Sequence, residues 1–368
     1  MPSLFDKTII KSITLKNRFV RSATWEGLAD EEGKATSDLV KYMEELVRGG
    51  VGLIISSHAF VRADGKAGPW QLGVNTDNHT AGLRAMADSV HRENGRIFLQ
   101  LAHAGCQAAT NLTGLPAVGP SPIMGGEMPC KQLSQEDIRR LSADFARAAR
   151  RAKEAHFDGV QIHAAHGYLF SQFLSPHYNR RKDSYGGSHD GRARAFLETV
   201  EAVRREVGGD FPVFVKINGD DTLDDGVLPQ DMVKTALLLE RAGIDAIEIS
   251  GGCRDGRHPP ARKLKAPSPD KEAYYEHAAR LYKQHVKIPL ILVGGIRSFE
   301  TAERLVDAGV VDYAALSRPL VCEPNLINRW QKGDTRPSKC ISENLCYNPI
   351  RAGEGIRCVI ETQKHSIE

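Results

Sequence analysis

Along the chain, short apolar runs alternate with longer stretches in which apolar residues recur every third or fourth position. The runs are 18–24 (RFVRSAT), 52–57 (GLIISS), 96–103 (RIFLQLAH), 159–165 (GVQIHAA), 212–219 (PVFVKING), 246–250 (AIEIS), 289–295 (PLILVGG) and 313–318 (YAALSR). They are nearly continuously apolar rather than alternating, as parallel strands buried on both faces should be. The stretches between them, 36–49, 76–94, 134–156, 190–208, 229–243, 271–286, 298–308 and 324–332, have the amphipathic period of helices. Ser134 with Asp137 has the form of a capping box, Ser298 is a plausible N-cap, and Gly49, Gly243 and Gly309 close helices.

Eight strands alternating with eight helices predict an α/β fold, a (β/α)8 TIM barrel. An open doubly wound sheet is the alternative, but the chain carries no GxGxxG. Two segments break the rhythm. Residues 104–133, rich in Gly, Pro and Ala, form an excursion after the third strand, expected to serve as a lid or wall. Residues 335–368 form a tail beyond the last helix, so the expected organisation is a barrel over 1–334 and a tail over 335–368.

Composition changes this picture little. The 368 residues are 41% hydrophobic and 26% charged, with a net charge of +3 and no long Lys/Arg run, which argues against a nucleic-acid or membrane partner. The N-terminus lacks the apolar core of a signal peptide, and seven cysteines without a CxxC pair do not make a disulfide scaffold. A reducing cytoplasm is the expected location.

In such a barrel the chemistry lies at the C-terminal ends of the strands. Those ends supply Ala23, Thr24 and Trp25; Ser57 and His58; Gln100 and His103; His163 and His166; Lys216; Ser250-Gly251-Gly252; Gly294-Gly295; and Ser317-Arg318. One polar residue at one strand end is usually packing or capping, but eight ends together form a rim. Gly294, Gly295, Ser317 and Arg318 lie after strands seven and eight, where barrels often bind a phosphate: glycines admit backbone N–H groups and arginine adds a bidentate fork. Lys216 within VFVKIN needs an anionic partner if it faces the barrel. HAAHGY (163–168) could be a metal pair, a proton-transfer site or two ordinary histidines in a packed turn.

LKNRFVRSAT, LQLAHAG, LVGGI, ALSRPLVCEP and, above all, GVQIHAAHGYLFSQFLSPHYNRRKDSYGGS followed by RARAFLE resemble the old yellow enzyme family of FMN-dependent barrel oxidoreductases. The SATWEGLAD stretch is most similar to the 2,4-dienoyl-CoA reductase branch. The resemblance implies FMN as cofactor and NADH or NADPH as reductant. It implies that Gln100 and Lys216 hold the flavin ring and that Gly295 and Arg318 hold its phosphate. Ala23, Thr24, Trp25, His58, Gly294 and Ser317 complete the cofactor site. His163 and His166 would bind a substrate carbonyl, and Tyr168 would be the proton donor. The activity implied is reduction of the C=C bond of an α,β-unsaturated carbonyl compound, and a homo-oligomer is the expected assembly.

There are departures from the family pattern. Lys216 stands where many members have Arg, and Ser317 where Gly is common. Trp25 stands where Thr, Cys or His is usual, either narrowing the substrate pocket or turning into the wall. Cys340, Cys346 and Cys358 resemble what remains of that branch's four-cysteine iron–sulfur segment, with Glu343 about where the second cysteine would stand. They are expected to be a relic, free thiols or a weaker zinc site. The branch's further flavin and nucleotide domains have no counterpart here, so direct reduction of FMN by NAD(P)H is expected. A metal-dependent barrel hydrolase using His58, His103, His163 and His166, or a flavin-binding protein with little turnover, are the alternatives.

Overall fold

The apolar runs close on themselves. The computed structural model describes residues 3–123, 129–264 and 268–360. Its strands are β1 (Phe19–Arg21), β2 (Leu53–Phe60), β3 (Ile97–Ala102), β4 (Gly159–Ala164), β5 (Val213–Asn218), β6 (Ala246–Ser250), β7 (Leu290–Val293) and β8 (Tyr313–Leu316). They form one closed barrel in sequence order, with β8 pairing β1, and all barrel pairs are parallel. The helices α1 (Ser37–Arg48), α2 (Thr80–Arg92), α3 (Gln135–Glu154), α4 (His189–Val207), α5 (Pro229–Arg241), α6 (Glu276–Lys283), α7 (Phe299–Asp307) and α8 (Leu326–Gln331) follow the strands in turn. Ser134 caps α3 through the reciprocal box with Asp137, and Ser298 caps α7.

Three local differences from the sequence pattern have physical causes. A bulge between Ile55 and His58 lets β2 run on to Phe60, so His58 lies within the strand rather than after it. The helix over 271–286 contracts to α6 because Glu272 adopts extended backbone. Its carboxylate accepts from the Arg297 and Ser298 amides at 3.0 and 3.1 Å and ties this segment to the loop after β7. The third is an added element, an antiparallel hairpin (Thr8–Ile10 with Ile13–Leu15) that the apolar-run pattern did not reveal. Its Ile10, Ile13 and Leu15 join Val20, Leu53, Phe98, Phe214 and Ile291 in the inner core and seal the N-terminal end of the barrel.

Two short strands (Val118–Gly119 and Lys131–Gln132) and a Cys106–Cys130 disulfide shape the excursion. This single bridge was not expected from the cysteine spacing; it links two ends of one loop and is not a framework. Residues 124–128 of the excursion and 361–368 of the tail lie outside the described residues. The described tail folds back over the C-terminal rim. The Ser338 N–H donates to the Arg297 carbonyl at 2.8 Å, and the Ile356 N–H to the Glu26 carbonyl at 2.8 Å. Gly27, at φ +62°, lets buried Ile350 approach so closely that a Cβ there would come within 2.2 Å of it. Among the described residues no helix is long and apolar enough to cross a membrane.

Phe98 and Phe214 meet inside the barrel with ring centroids 4.6 Å apart, both fully buried. Phe98→Ala should destabilise the fold by about 3–5 kcal/mol. Urea unfolding should show a lower midpoint at an unchanged slope; a loss under 1 kcal/mol would show that the inner core is not tightly packed.

Candidate active site

The C-terminal ends of the strands surround a cavity of about 310 Å³. Every residue singled out for cofactor or substrate lines it: Ala23, Thr24 and Trp25 from β1; His58 and Gln100 from β2 and β3; His163, His166 and Tyr168 from β4; Lys216 from β5; and Gly294, Gly295, Ser317 and Arg318 from the ends of β7 and β8. From the excursion, Gln107 alone among the described residues lines the cavity, so the described part of that segment meets it at one point. His103 is the exception among the strand-end histidines. Its Nε2 lies 3.1 Å from Asp64 and its Nδ1 accepts the Gly105 N–H at 3.0 Å, so it braces the loop and leaves the cavity.

The parallel register brings the polar residues of neighbouring strands side by side. His58 stands opposite Gln100, Gln100 opposite Gln161, His163 opposite Lys216, and Lys216 opposite Glu248. The Lys216 ammonium lies 2.8 Å from Ser22 Oγ and 3.2 Å from Glu248. The anionic partner expected for this lysine is therefore built into the barrel. Glu248 was missed although AIEIS carries the same signal as VFVKIN: one charge in an apolar strand. Burial lowers the Lys216 pKa, and Glu248 opposes that shift.

The HAAHGY run becomes a packed aromatic set. The His163 ring centroid lies 5.0 Å from that of His166 and 4.9 Å from that of Tyr168. Tyr168 Oη is 3.4 Å from His58 Nε2, and His166 Nε2 is 2.7 Å from Ser250 Oγ. Burial, with His166 and Lys216 adding to it, holds His163 well below the usual imidazole range; burial and Lys216 do the same for His166. Burial and Lys216 bring His58 down to about 4. Burial pushes the Tyr168 phenol up, so it keeps its proton at neutral pH. The site thus offers neutral imidazoles and an intact phenol.

Trp25 stands at the cavity's border. It lines the cavity, and it packs against the cluster of Val321, Ile350 and Ile356 beside Trp70 and Tyr347. Its indole N–H is buried without a hydrogen-bond partner. The neighbouring Glu26, unassigned in the sequence, pairs with buried Arg21 at 2.6 Å. Thr24 and Ser317 join hydroxyl to hydroxyl at 2.7 Å.

The residues fit FMN. The cavity has the size of a small-ligand site. Gly294 and Gly295 hold φ of +154° and +77°, which expose backbone toward it, and Arg318 lines the same end. The Arg318 Nη1 is also bonded to the carbonyls of Arg262 and Ser342 and to Asn344 at 2.8, 3.1 and 2.6 Å, which fixes the guanidinium in place.

The tail cysteines do not fit a metal centre as placed. Cys340, Cys346 and Cys358 line a second, small cavity with Cys322, a fourth cysteine that the sequence motif did not include. Cys322 and Cys358 lie sulfur to sulfur at 3.5 Å. Yet among the described residues no three His, Cys, Asp or Glu side chains are grouped to hold one ion. Burial pushes Cys322 and Cys340 up, and Cys346 to about 11, so these thiols stay protonated.

A histidine held neutral in the fold takes up a proton only when the chain unfolds. Its stabilising contribution is present above pH 6.5 and is lost as pH falls toward the folded-state value, which for His58 is about 4. Stability should fall between pH 6.5 and 5 by about 1.4 kcal/mol per pH unit for each such histidine. Urea titrations of His58→Gln should show a slope against pH smaller by about one proton; an unchanged slope would remove His58 from this account.

Comparison with known proteins agrees with this geometry. The NADH:flavin oxidoreductase / NADH oxidase family matches residues 3–336. The chain is 35% identical to an NADH oxidase of Thermoanaerobacter brockii over 96% of its own length and 57% of that relative's. It spans about half the length of other curated relatives too, such as a metal reductase of Desulforamulus reducens at 54%. Among solved structures, a 2-naphthoyl-CoA reductase superposes with a TM-score of 0.89 at 25% identity, covering 96% of this chain and 56% of that one. The old yellow enzyme homologue of Zymomonas mobilis gives 0.79 at 29% identity, covering 93% and 96%. The match across the barrel shows that this chain belongs to the NADH:flavin oxidoreductase / NADH oxidase family.

Proposed function

We propose that the chain is an FMN-dependent oxidoreductase that takes its electrons from NADH or NADPH and reduces the activated C=C bond of an α,β-unsaturated carbonyl compound. The observation that carries this reading is the packing of His163, His166 and Tyr168 into one set on the rim, beside Gln100 and Lys216. Bound FMN supplies the hydride chemistry.

The chain's own residues supply the rest. A carbonyl oxygen seated between the two imidazoles gains charge as the C=C bond is reduced, and neutral N–H donors stabilise that charge without competing for its proton. His163 Nδ1 accepts the Ala165 N–H at 3.4 Å, which leaves its Nε2 as the donor. Tyr168, held protonated by burial, gives its proton to the α-carbon. Gln100 and Lys216 would hold the flavin ring, and Gly294, Gly295 and Arg318 its phosphate. Trp25 lines the cavity and sets the room beside it, while its indole N–H is buried in the protein. The hydrolase alternative loses its ligand set, because His103 is committed to Asp64 outside the cavity.

The purified protein should be yellow, bleach anaerobically with NADH or NADPH, and regain colour with an enone such as cyclohexenone. Tyr168→Phe should leave bleaching at the wild-type rate and slow recolouring by about 10²–10⁴-fold, the range of a general acid. Equal slowing of both half-reactions would take the acid role from Tyr168. Bleaching without recovery by any enone tested would leave flavin reduction and sink the ene-reductase reading.

A further inference from the structure

Beneath the cavity lies a set of polar groups that the proposed chemistry does not use. Glu248 is fully buried and does not line the cavity. Its Oε1 accepts the Ser22 hydroxyl at 2.5 Å and lies 3.2 Å from the Lys216 ammonium. Its Oε2 accepts from Gln161 Nε2 at 2.8 Å, and Gln161 Oε1 in turn accepts from Gln100 Nε2 at 2.7 Å. One carboxylate therefore reaches both residues expected to meet the flavin ring: Lys216 directly and Gln100 through one amide. Both of its oxygens are engaged, as a buried ion must have them.

We propose that Glu248 is a positioning residue that sets the reduction potential of the bound flavin, by orienting Lys216 and Gln100 and by offsetting the charge of Lys216. The proposal rests on the reading that FMN occupies the cavity. A ring that gains electrons gains negative charge, and a bare ammonium beside it favours the reduced form. A carboxylate 3.2 Å behind that ammonium cancels much of its field in so buried a site. The Glu248–Lys216 pair thus holds the potential below what a lysine alone would give. The other charged and titratable groups around Lys216 are Arg21 on β1, itself paired with Glu26, His58 on β2, and His163 and His166 on β4. None of these supplies a second anion to the ammonium.

The test is the midpoint potential of FMN bound to Glu248→Gln, an isostere that removes the charge. It is measured at pH 6, where Lys216 has most reason to stay protonated. The expected result is at least a tenfold rise in preference for reduced over oxidised FMN, which is about +30 mV for a two-electron couple. In a Lys216→Met background the Glu248 carboxyl, unpaired and buried, should itself be protonated. Adding Glu248→Gln there should leave the potential where Lys216→Met alone puts it. This second comparison stands even if the single variant does not fold, because the double variant leaves neither charge of the pair.

A wild-type potential in Glu248→Gln, an equal shift in the Lys216→Met background, or loss of FMN by a folded Glu248→Gln would each overturn the proposal. Wild-type protein that binds no FMN would instead overturn the functional reading on which it rests.

Discussion

Eight short parallel strands leave their edge N–H and C=O groups unpaired unless the last strand meets the first. Closure by β8 against β1 removes both edges at once. The remaining features follow from it. Because every strand runs the same way, all the C-terminal ends fall on one rim, so residues three hundred positions apart in the chain line one cavity. The price is an open bottom, which the N-terminal hairpin fills with Ile10, Ile13 and Leu15. Apolar packing below and polar residues above divide the barrel interior into a part that sets stability and a part free for chemistry.

That upper part is unusual in what it buries. Lys216, Glu248, Gln161 and Gln100 are each at most 2% exposed and stand on four consecutive strands. An unpaired member would cost several kcal/mol, so such a set persists only when its hydrogen bonds are complete. The chain from Ser22 and Lys216 through Glu248 to Gln161 and Gln100 meets that condition. The same dry surroundings keep His58, His163 and His166 neutral and Tyr168 protonated. Burial thus holds the imidazoles without charge and the phenol with its proton.

Much of this was legible in the sequence, and the limits are instructive. Strand positions were readable because burial on both faces leaves an apolar run; strand ends then named the rim. The signature LSPHYNRRKDSYGG stood out equally, yet its residues are scaffold. Arg181 grips Asp183 and the carbonyls of Pro120 and Leu133, and Asn179 bridges Phe173 to Tyr185, so the segment pins the excursion to the barrel. His103 looked like a site residue because it ends a strand; its turn toward Asp64 depends on a contact 39 residues away. Glu248 lies inside a strand, away from the ends that define the rim. Cys322 joins the tail thiols through a fold-back of 36 residues that no local spacing encodes.

The tail and the cavity are parts of one structure. Arg318 sits at the expected phosphate end, but its Nη1 is held by the carbonyl of Ser342 and the side chain of Asn344, both tail residues. Trp25 lines the cavity too, but it packs against Ile350 and Ile356, also of the tail. Ser342 and Tyr347 line the cavity themselves. A segment that contributes to both ends of the same cavity cannot shift without moving Arg318 or Trp25. The half-buried thiols of Cys340, Cys346 and Cys358 belong to this same segment, and Cys322 meets them from the end of the short helix after β8. Together they line one small cavity, which Arg318, Ser342 and Asn344 line as well.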